Sequence, residues 1–255
     1  MDWCCIAAVN DEAILSENLC TSPALRSDPE RLTVLMDQKS ATIAYNAGLE
    51  RTTARYCVFA HQDVYLPDGW VERLAEEIAS LDRMDSNWAV AGLFGVSIEN
   101  GEHVGRVWSS GIGKELGNSF ELPIAVQSID ELLIILDRSK GLCFDEKLPG
   151  FHLYGTDIIQ EARAAGFGTY VIHAPVVHNS QRVKTLQGPF LHAHDYLSRK
   201  WRANLPIVTP VTKITYSGLK ARWLALKLTI RRRREKVGQR PRYDPMVIAK
   251  KLGYE

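Results

Sequence analysis

No stretch of this sequence approaches the ~20 consecutive apolar residues that a membrane span needs, so a transmembrane helix is excluded. No internal repeat occurs, and no low-complexity segment apart from Arg231 to Arg234, which argues against a repeat architecture. Cysteine is sparse: the five (Cys4, Cys5, Cys20, Cys57, Cys143) are odd in number and show no C-x-x-C spacing. That argues against a disulfide framework and a zinc knuckle, and three of the five lie in apolar runs, as buried thiols of a reducing compartment do. Met1-Asp2 opens almost directly into an apolar run without a basic n-region, so no secretory leader is expected and the location expected is cytoplasmic. The glycine-rich "WSSGIGK" lacks the P-loop pattern, with Trp108 where the first Gly is required and Glu115 following Lys114 in place of Ser or Thr. Net charge is nearly absent at +1, but it is unevenly spread. Between Lys213 and Arg242 the only acid is Glu235, leaving the remainder net acidic, which argues against a wholly nucleic-acid-binding chain.

What is present is an ordinary globular composition, 45% apolar and 24% charged over 255 residues. "WCCIAAV" (3 to 9), "RLTVLM" (31 to 36) and "RYCVFA" (55 to 60) are continuous apolar runs of strand length, the pattern of strands covered on both faces. Between them, "AILSENL" and "SATIAYNAGLE" read as helices, the second capped by Ser40. From Asp68, Trp70, Leu74, Ile78 and Leu81 fall on one helical face. "WAVAGLFGVSI" (88 to 98) reads as one strand before a Glu99-Asn100-Gly101 turn, residues 105 to 120 as a mobile loop, and "ELLIILDR" (131 to 138) as a strand. "GTDIIQEARAAG" (155 to 166) reads as a helix with Thr156 as N-cap and Gly166 at its end, and "TYVIHAPVVHNS" as a last strand pair carrying His173 and His178. The alternation predicts an α/β fold with an open, mostly parallel sheet.

Chemistry gathers where the third strand ends, at His61-Gln62-Asp63. Strand ends are where α/β proteins bind ligands, and an imidazole with a carboxylate suits a divalent metal. Acids at such positions also cap the next helix, and an Asp just inside a helix, such as Asp157, also complements the helix dipole. A lone strand-end histidine such as His178 is also commonly structural.

Taken in order, the strand-end acid, the helix-start Asp157 and the strand-end His178 resemble the GT-A glycosyltransferases, and more closely their family-2-like bacterial members. The matching segments are "AAVNDEAILSENLCTSPAL", "AYNAGLERTTARYCVFAHQDVYLPDGW", "GLCFDEKLPGFHLYGTDIIQEARAAGFGTYVI" and "VVHNS", over residues 5 to 180; the most specific piece is Y-N-x-G followed by H-Q-D-V. The resemblance implies a GT-A catalytic domain (1–180), an α/β/α sandwich, followed by a basic, mostly helical extension (181–255). It implies inverting, metal-dependent transfer of a hexosyl group from a nucleotide-sugar to a hydroxyl of a glycan or lipid-linked acceptor. Family frequency favours UDP as the nucleotide. Asp63 would ligate the cation with His178, and imidazole favours Mn²⁺ over Mg²⁺. His61 stands where the family's first Asp often stands, and metal, phosphate and ribose are all open to it. Asp157 would be the general base, with His152 as runner-up; Thr156 replaces the Glu common beside it. Nucleotide contacts are expected from Val9, Asn10, Glu12 and Asn46, with a helix-end cap the alternative for Asn46.

"SGLKARWLALKLTIRRRREK" places Leu219, Trp223, Leu226 and Ile230 at near-helical spacing among cations. Such a helix can lie on an anionic membrane surface, or pack on the catalytic domain as a solvated helix. Two rivals to the transferase reading are a non-catalytic nucleotide-sugar-binding scaffold on the same fold and a metal-dependent phosphohydrolase.

Overall fold

Residues 1–180, 188–234 and 243–255 are described in the computed structural model, residues 231–234 by their backbone alone. The apolar runs form the strands they predict. β1 (Trp3–Val9) lies between β2 (Leu32–Met36) and β3 (Tyr56–Ala60), parallel to both. Between β1 and β2 run α1 (Glu12–Glu17), N-capped by Asp11, and α2 (Pro23–Ser27). α3 (Ala41–Glu50) joins β2 to β3, capped by Ser40, which accepts from Ile43 N. β4 (Val64–Tyr65) and α4 (Trp70–Met84) follow, then β5 (Trp88–Gly92), β6 (Phe94–Ser97), β7 (His103–Ser109), β8 (Lys114–Gly117), β9 (Ile124–Ile129) and β10 (Leu133–Asp137). α5 (Tyr154–Ala164), β11 (Gly168–Val171) and β12 (Val177–His178) complete the sheet portion.

The twelve strands run in the order β2-β1-β3-β10-β5-β11-β9-β6-β7-β12-β4, with β8 beside β7. Alternate side chains of each central strand serve opposite faces. Ile6, Phe59 and Ile134 meet α3 and α5 on one side, while Cys5, Val58 and Ile135 meet the α4 face on the other. At the roughly 25 cal/mol per Å² that apolar burial yields, this two-sided covering is what holds the central strands in place.

Four expectations are corrected. The sheet is mixed: only β2-β1-β3, β5-β11 and β7-β12 pair in parallel, because β10 inserts antiparallel between β3 and β5. The run 88 to 98 divides at Leu93 into β5 and β6, with β6 turning to pair with β9 and β7. Residues 105 to 120 are largely a β-hairpin; the buried positions of β7 include Gly105 and Ser109, small residues that conceal its alternation. Thr156 does not cap α5. The helix starts at Tyr154 behind Leu153, whose φ is +64°, and Thr156 lies within it, fully buried.

The chain continues through α6 (Pro189–Lys200), a hairpin of β13 (Ile207–Val208) and β14 (Lys213–Ile214), α7 (Leu219–Arg234) and α8 (Pro245–Leu252). Phe190, Leu197, Ile207, Ile214 and Ala225 join the core beneath α3 and α5. α8 packs Ile248 and Ala249 against Tyr65 and Val177. No helix among the described residues is long and apolar enough to cross a membrane.

Candidate active site

Three strand ends and one helix start build the site. β3 ends where His61 N donates to Leu132 O at 3.0 Å and His61 O accepts from Val64 N at 3.1 Å. This tight turn aims the next side chains away from the core. β4 then pairs antiparallel with β12, opposing Val64 to His178, and Asn179 N donates to Asp63 O at 2.8 Å. The pairing delivers His178 to Asp63 across more than a hundred residues of chain. Its Nε2 lies 3.2 Å from Asp63 Oδ1, with the side chains 16% and 22% exposed. The His61 and His178 rings stand edge to face, 5.5 Å apart.

The electrostatics follow from this geometry. Burial pushes the Asp63 carboxyl up, but the charge and hydrogen bond of His178 outweigh it and hold the group at about 2. Burial pulls His178 down, and Asp63 reverses that, leaving it above the usual imidazole value. The two therefore form an ion pair at mildly acid pH. His61 is lowered by burial, helped by His178 and opposed by Asp63, and stays neutral. The Tyr154 hydroxyl donates to Glu131 O at 3.2 Å and lies 2.8 Å from His61 Nε2. With that proton committed to Glu131, His61 donates through Nε2–H and keeps its lone pair on Nδ1.

One ligand atom each from His61, Asp63 and His178 lie within 4.8 Å of one another. One carboxylate oxygen and two imidazole nitrogens fit a divalent ion that accepts nitrogen, Mn²⁺ ahead of Mg²⁺. A second acidic group, Asp145, Asp157 and Glu161, encloses the Lys200 ammonium at 2.7, 2.8 and 2.7 Å. A resident cation, the Lys200 ammonium, already occupies it.

That second group holds the expected base. Asp157 is 2% exposed, and its two oxygens accept from Lys200 Nζ at 2.8 Å and Trp201 Nε1 at 2.7 Å. Burial raises its carboxyl, and Lys200 and Trp201 counter the rise. Asp157 is thereby a tie between α5 and α6, apart from the Asp63–His178 pair. Asn46 is similarly engaged: its Nδ2 donates to Phe144 O and Glu146 Oε1, and its Oδ1 accepts from Phe144 N, fastening α3 to the segment before α5. Lying in the middle of α3, it is not a helix-end cap. Val9 is buried, its carbonyl accepting from Asp37 N at 2.8 Å, while Asn10 and Glu12 are exposed at the end of β1. His152 is half-buried beside Phe190, and burial lowers its pKa.

Several participants carried no signal in the sequence. Gln62 Oε1 accepts from Asn10 N and Asp11 N at 3.0 and 3.1 Å, and its Nε2 donates to Asn10 Oδ1, locking the ends of β1 and β3 together. It stands inside the H-Q-D triplet, so its position was the only available clue. Tyr154, Glu131, Lys200 and Trp201 are brought in by tertiary packing.

The class defined by this fold and site is an α/β protein with a cation-compatible acid and imidazole at the ends of its strands. The sequence model of the glycosyltransferase-like family matches residues 4–194, and the chain belongs to that family. A relative from Fuscovulum blasticum, described as "ATP synthase subunits region ORF 6", is 30% identical over 138 residues. The match spans 53% of this chain and about half, 55%, of that relative. Among solved structures, the mannosyltransferase PcManGT of Pyrobaculum calidifontis, in complex with GDP-Man and Mn²⁺, is similar at 13% identity and a TM-score of 0.47, over 98% of this chain and 68% of that one. TarS of S. aureus (1-349), in complex with UDP, is similar at 12% identity and a TM-score of 0.45, over 78% and 65%.

Proposed function

We propose that the protein is an inverting, divalent-metal-dependent glycosyltransferase that moves a hexosyl group from a nucleotide-sugar to a hydroxyl of a glycan or lipid-linked saccharide. The observation that carries this reading is the Asp63–His178 pair at the ends of β3 and β12, in a chain of the glycosyltransferase-like family.

Asp63 and His178 would hold the ion, Mn²⁺ in preference to Mg²⁺, and His61 would face it or a phosphate through Nδ1. When bound, the ion supplies fixed positive charge against the negative charge that grows on the departing diphosphate. Asn10 and Glu12, exposed at the end of β1, offer polar contacts to the nucleoside, with Gln62 holding Asn10 in place. The anomeric carbon then loses its bond to the phosphate oxygen and gains one to the acceptor oxygen from the opposite face, inverting its configuration. The acceptor proton passes to a protein base. The reaction would take place in the cytoplasm at the inner face of the membrane, reached through α7.

Thermal unfolding against UDP, GDP, CDP and ADP, each with Mn²⁺, Mg²⁺ or EDTA, tests the reading. A ligand at about a hundred times its Kd adds about 2.7 kcal/mol, which for a chain of this size raises the midpoint by about 5 °C or more. One nucleotide should stabilise with metal and fail with EDTA. Stabilisation by none of them overturns the reading. Donor binding without any turnover returns the protein to the scaffold class.

A further inference from the structure

The glycosyltransferase reading requires a base for the acceptor proton, and both oxygens of Asp157 are bonded to Lys200 and Trp201. The charge of a different carboxylate, Glu131, acts on the Tyr154 hydroxyl, which bonds His61. Glu131 lies in the connection between β9 and β10, which is fixed by Asp130 N donating to Phe94 O at 2.8 Å and Leu132 N donating to Asp130 Oδ1 at 3.0 Å. The Glu131 carbonyl accepts from the Tyr154 hydroxyl, which bonds His61, so its main chain is two hydrogen bonds from the metal-compatible group.

The side chain lies over the start of α5. A Cβ built on Gly155 would lie 3.2 Å from Glu131 Cγ and 3.0 Å from Ile129 O. Gly155 therefore leaves open the space over the first turn of α5, and Glu131 fills it. The backbone amides of Leu153 and Gly155 hydrogen-bond its carboxylate. Leu153, at φ +64°, holds a conformation that costs a non-glycine residue about 1–3 kcal/mol, and such backbone strain concentrates at functional sites. Glu131 is half-buried. Burial, reinforced by the neighbouring Asp130 charge, raises its carboxyl to about 8, which makes its ionised form a stronger base than an ordinary carboxylate.

We propose that Glu131 is the catalytic base, taking the acceptor proton as the acceptor oxygen bonds the anomeric carbon and the nucleoside diphosphate leaves with the electron pair of the broken bond. The proposal rests on the transferase reading. Its rivals for the proton are Asp157 and His152; its structural rival is Glu131 acting only as a cap for α5, whose Leu153 supplies no side-chain cap.

The test measures nucleoside diphosphate release from UDP-glucose, UDP-galactose and GDP-mannose with Mn²⁺ and octyl glucoside as hydroxyl acceptor, for wild type, Glu131→Gln, Glu131→Ala, Asp157→Asn and His152→Ala. Glu131→Gln should lose about 100-fold or more in kcat, with donor KM and the metal-dependent nucleotide stabilisation unchanged. Formate should restore turnover to Glu131→Ala, because a small carboxylate can occupy the vacated space and take the proton. Asp157→Asn should lower the melting midpoint far more than kcat. Retention of turnover within about threefold by Glu131→Gln overturns the proposal, as does a loss confined to Asp157→Asn or His152→Ala. Loss of turnover in both Glu131 variants without formate rescue, alongside weakened nucleotide stabilisation, assigns Glu131 to capping and overturns it too. A wild type that binds nucleotide and releases no diphosphate overturns the transferase reading itself, and the assignment of Glu131 falls with it.

Discussion

Asp63 and His178 each shift the other's titration, and each is surrounded so that water cannot screen the pair fully. Replacing Asp63 by Asn removes the only carboxylate of that group and should abolish metal-dependent stabilisation by the nucleotide. Wild type and variant, compared in the same thermal scan with Mn²⁺ and with EDTA, check this. Asp137 offers a residue-scale test away from the site. It is 1% exposed and accepts from Ser139 Oγ at 2.6 Å, Ser139 N at 3.0 Å and Arg55 Nη2 at 3.0 Å. Burial raises its carboxyl, but the Arg55 and Ser139 hydrogen bonds outweigh burial and leave it depressed. A depressed carboxylate adds stability above its unfolded pKa of about 3.9, and loses it as pH falls through the folded value. Asp137→Asn should cost about 1–3 kcal/mol at pH 7, mostly through the Ser139 bonds, since Arg55 is half-exposed and screened. The difference in midpoint between the two proteins should hold from pH 8 to 5 and close below about pH 4.

At the scale of elements, α5 is the piece on which site and scaffold converge. Its first turn presents Tyr154 to His61, Asp157 of that turn and Glu161 of the next tie it to Lys200 of α6, and its apolar face packs Ile158 and Ile159 into the core. Removing Lys200 would leave Asp157 charged, buried and short of a partner. Lys200→Met should lower stability by about 3–5 kcal/mol, read as a fall in the denaturation midpoint, while Lys200→Met with Asp157→Asn recovers part of the loss. The hairpin of β7 and β8 depends on backbone approach. Gly105 has φ +120°, and a Cβ there would stand 2.2 Å from Leu93 O. Gly105→Ala should destabilise by more than the ~1 kcal/mol of an ordinary glycine replacement, visible in the same midpoint, because both the dihedral and the contact oppose it.

At the scale of the whole molecule, α7 presents a face that the core does not use among the described residues. On α7, Ala221 and Ala225 are buried, whereas Leu219, Trp223, Leu226 and Ile230 are 67%, 62%, 55% and 43% exposed. Lys227 lies over the Trp223 ring at 5.2 Å, and Lys220 and Arg222 flank it. The remaining cations of the expected basic tail fall elsewhere: the side chains of Arg231 to Arg234, and Lys236, Arg240 and Arg242, lie outside the described residues. A peripheral membrane contact through this face predicts sedimentation with vesicles containing anionic lipid, weakened by salt. Trp223→Ser with Leu226→Ser should remove vesicle binding without lowering the melting midpoint, since neither side chain is in the core. Equal binding by the double variant would leave α7 as a solvated helix.

Much of this was legible in the amino-acid order. β1, β2 and β3 follow from apolar runs that must be covered on both faces, and α4 from the spacing of Trp70, Leu74, Ile78 and Leu81, because burial acts on patterns a single segment carries. The strand-end position of His61 and Asp63 is local in the same sense. What a segment cannot carry is its partner. Whether β10 runs antiparallel between β3 and β5, whether Asp157 faces an acceptor or Lys200, and whether Glu131 or any other acid lies over Gly155 depend on groups tens of residues apart meeting in space. A carboxylate's role is set by which donors and charges stand around it, and only the tertiary structure decided that.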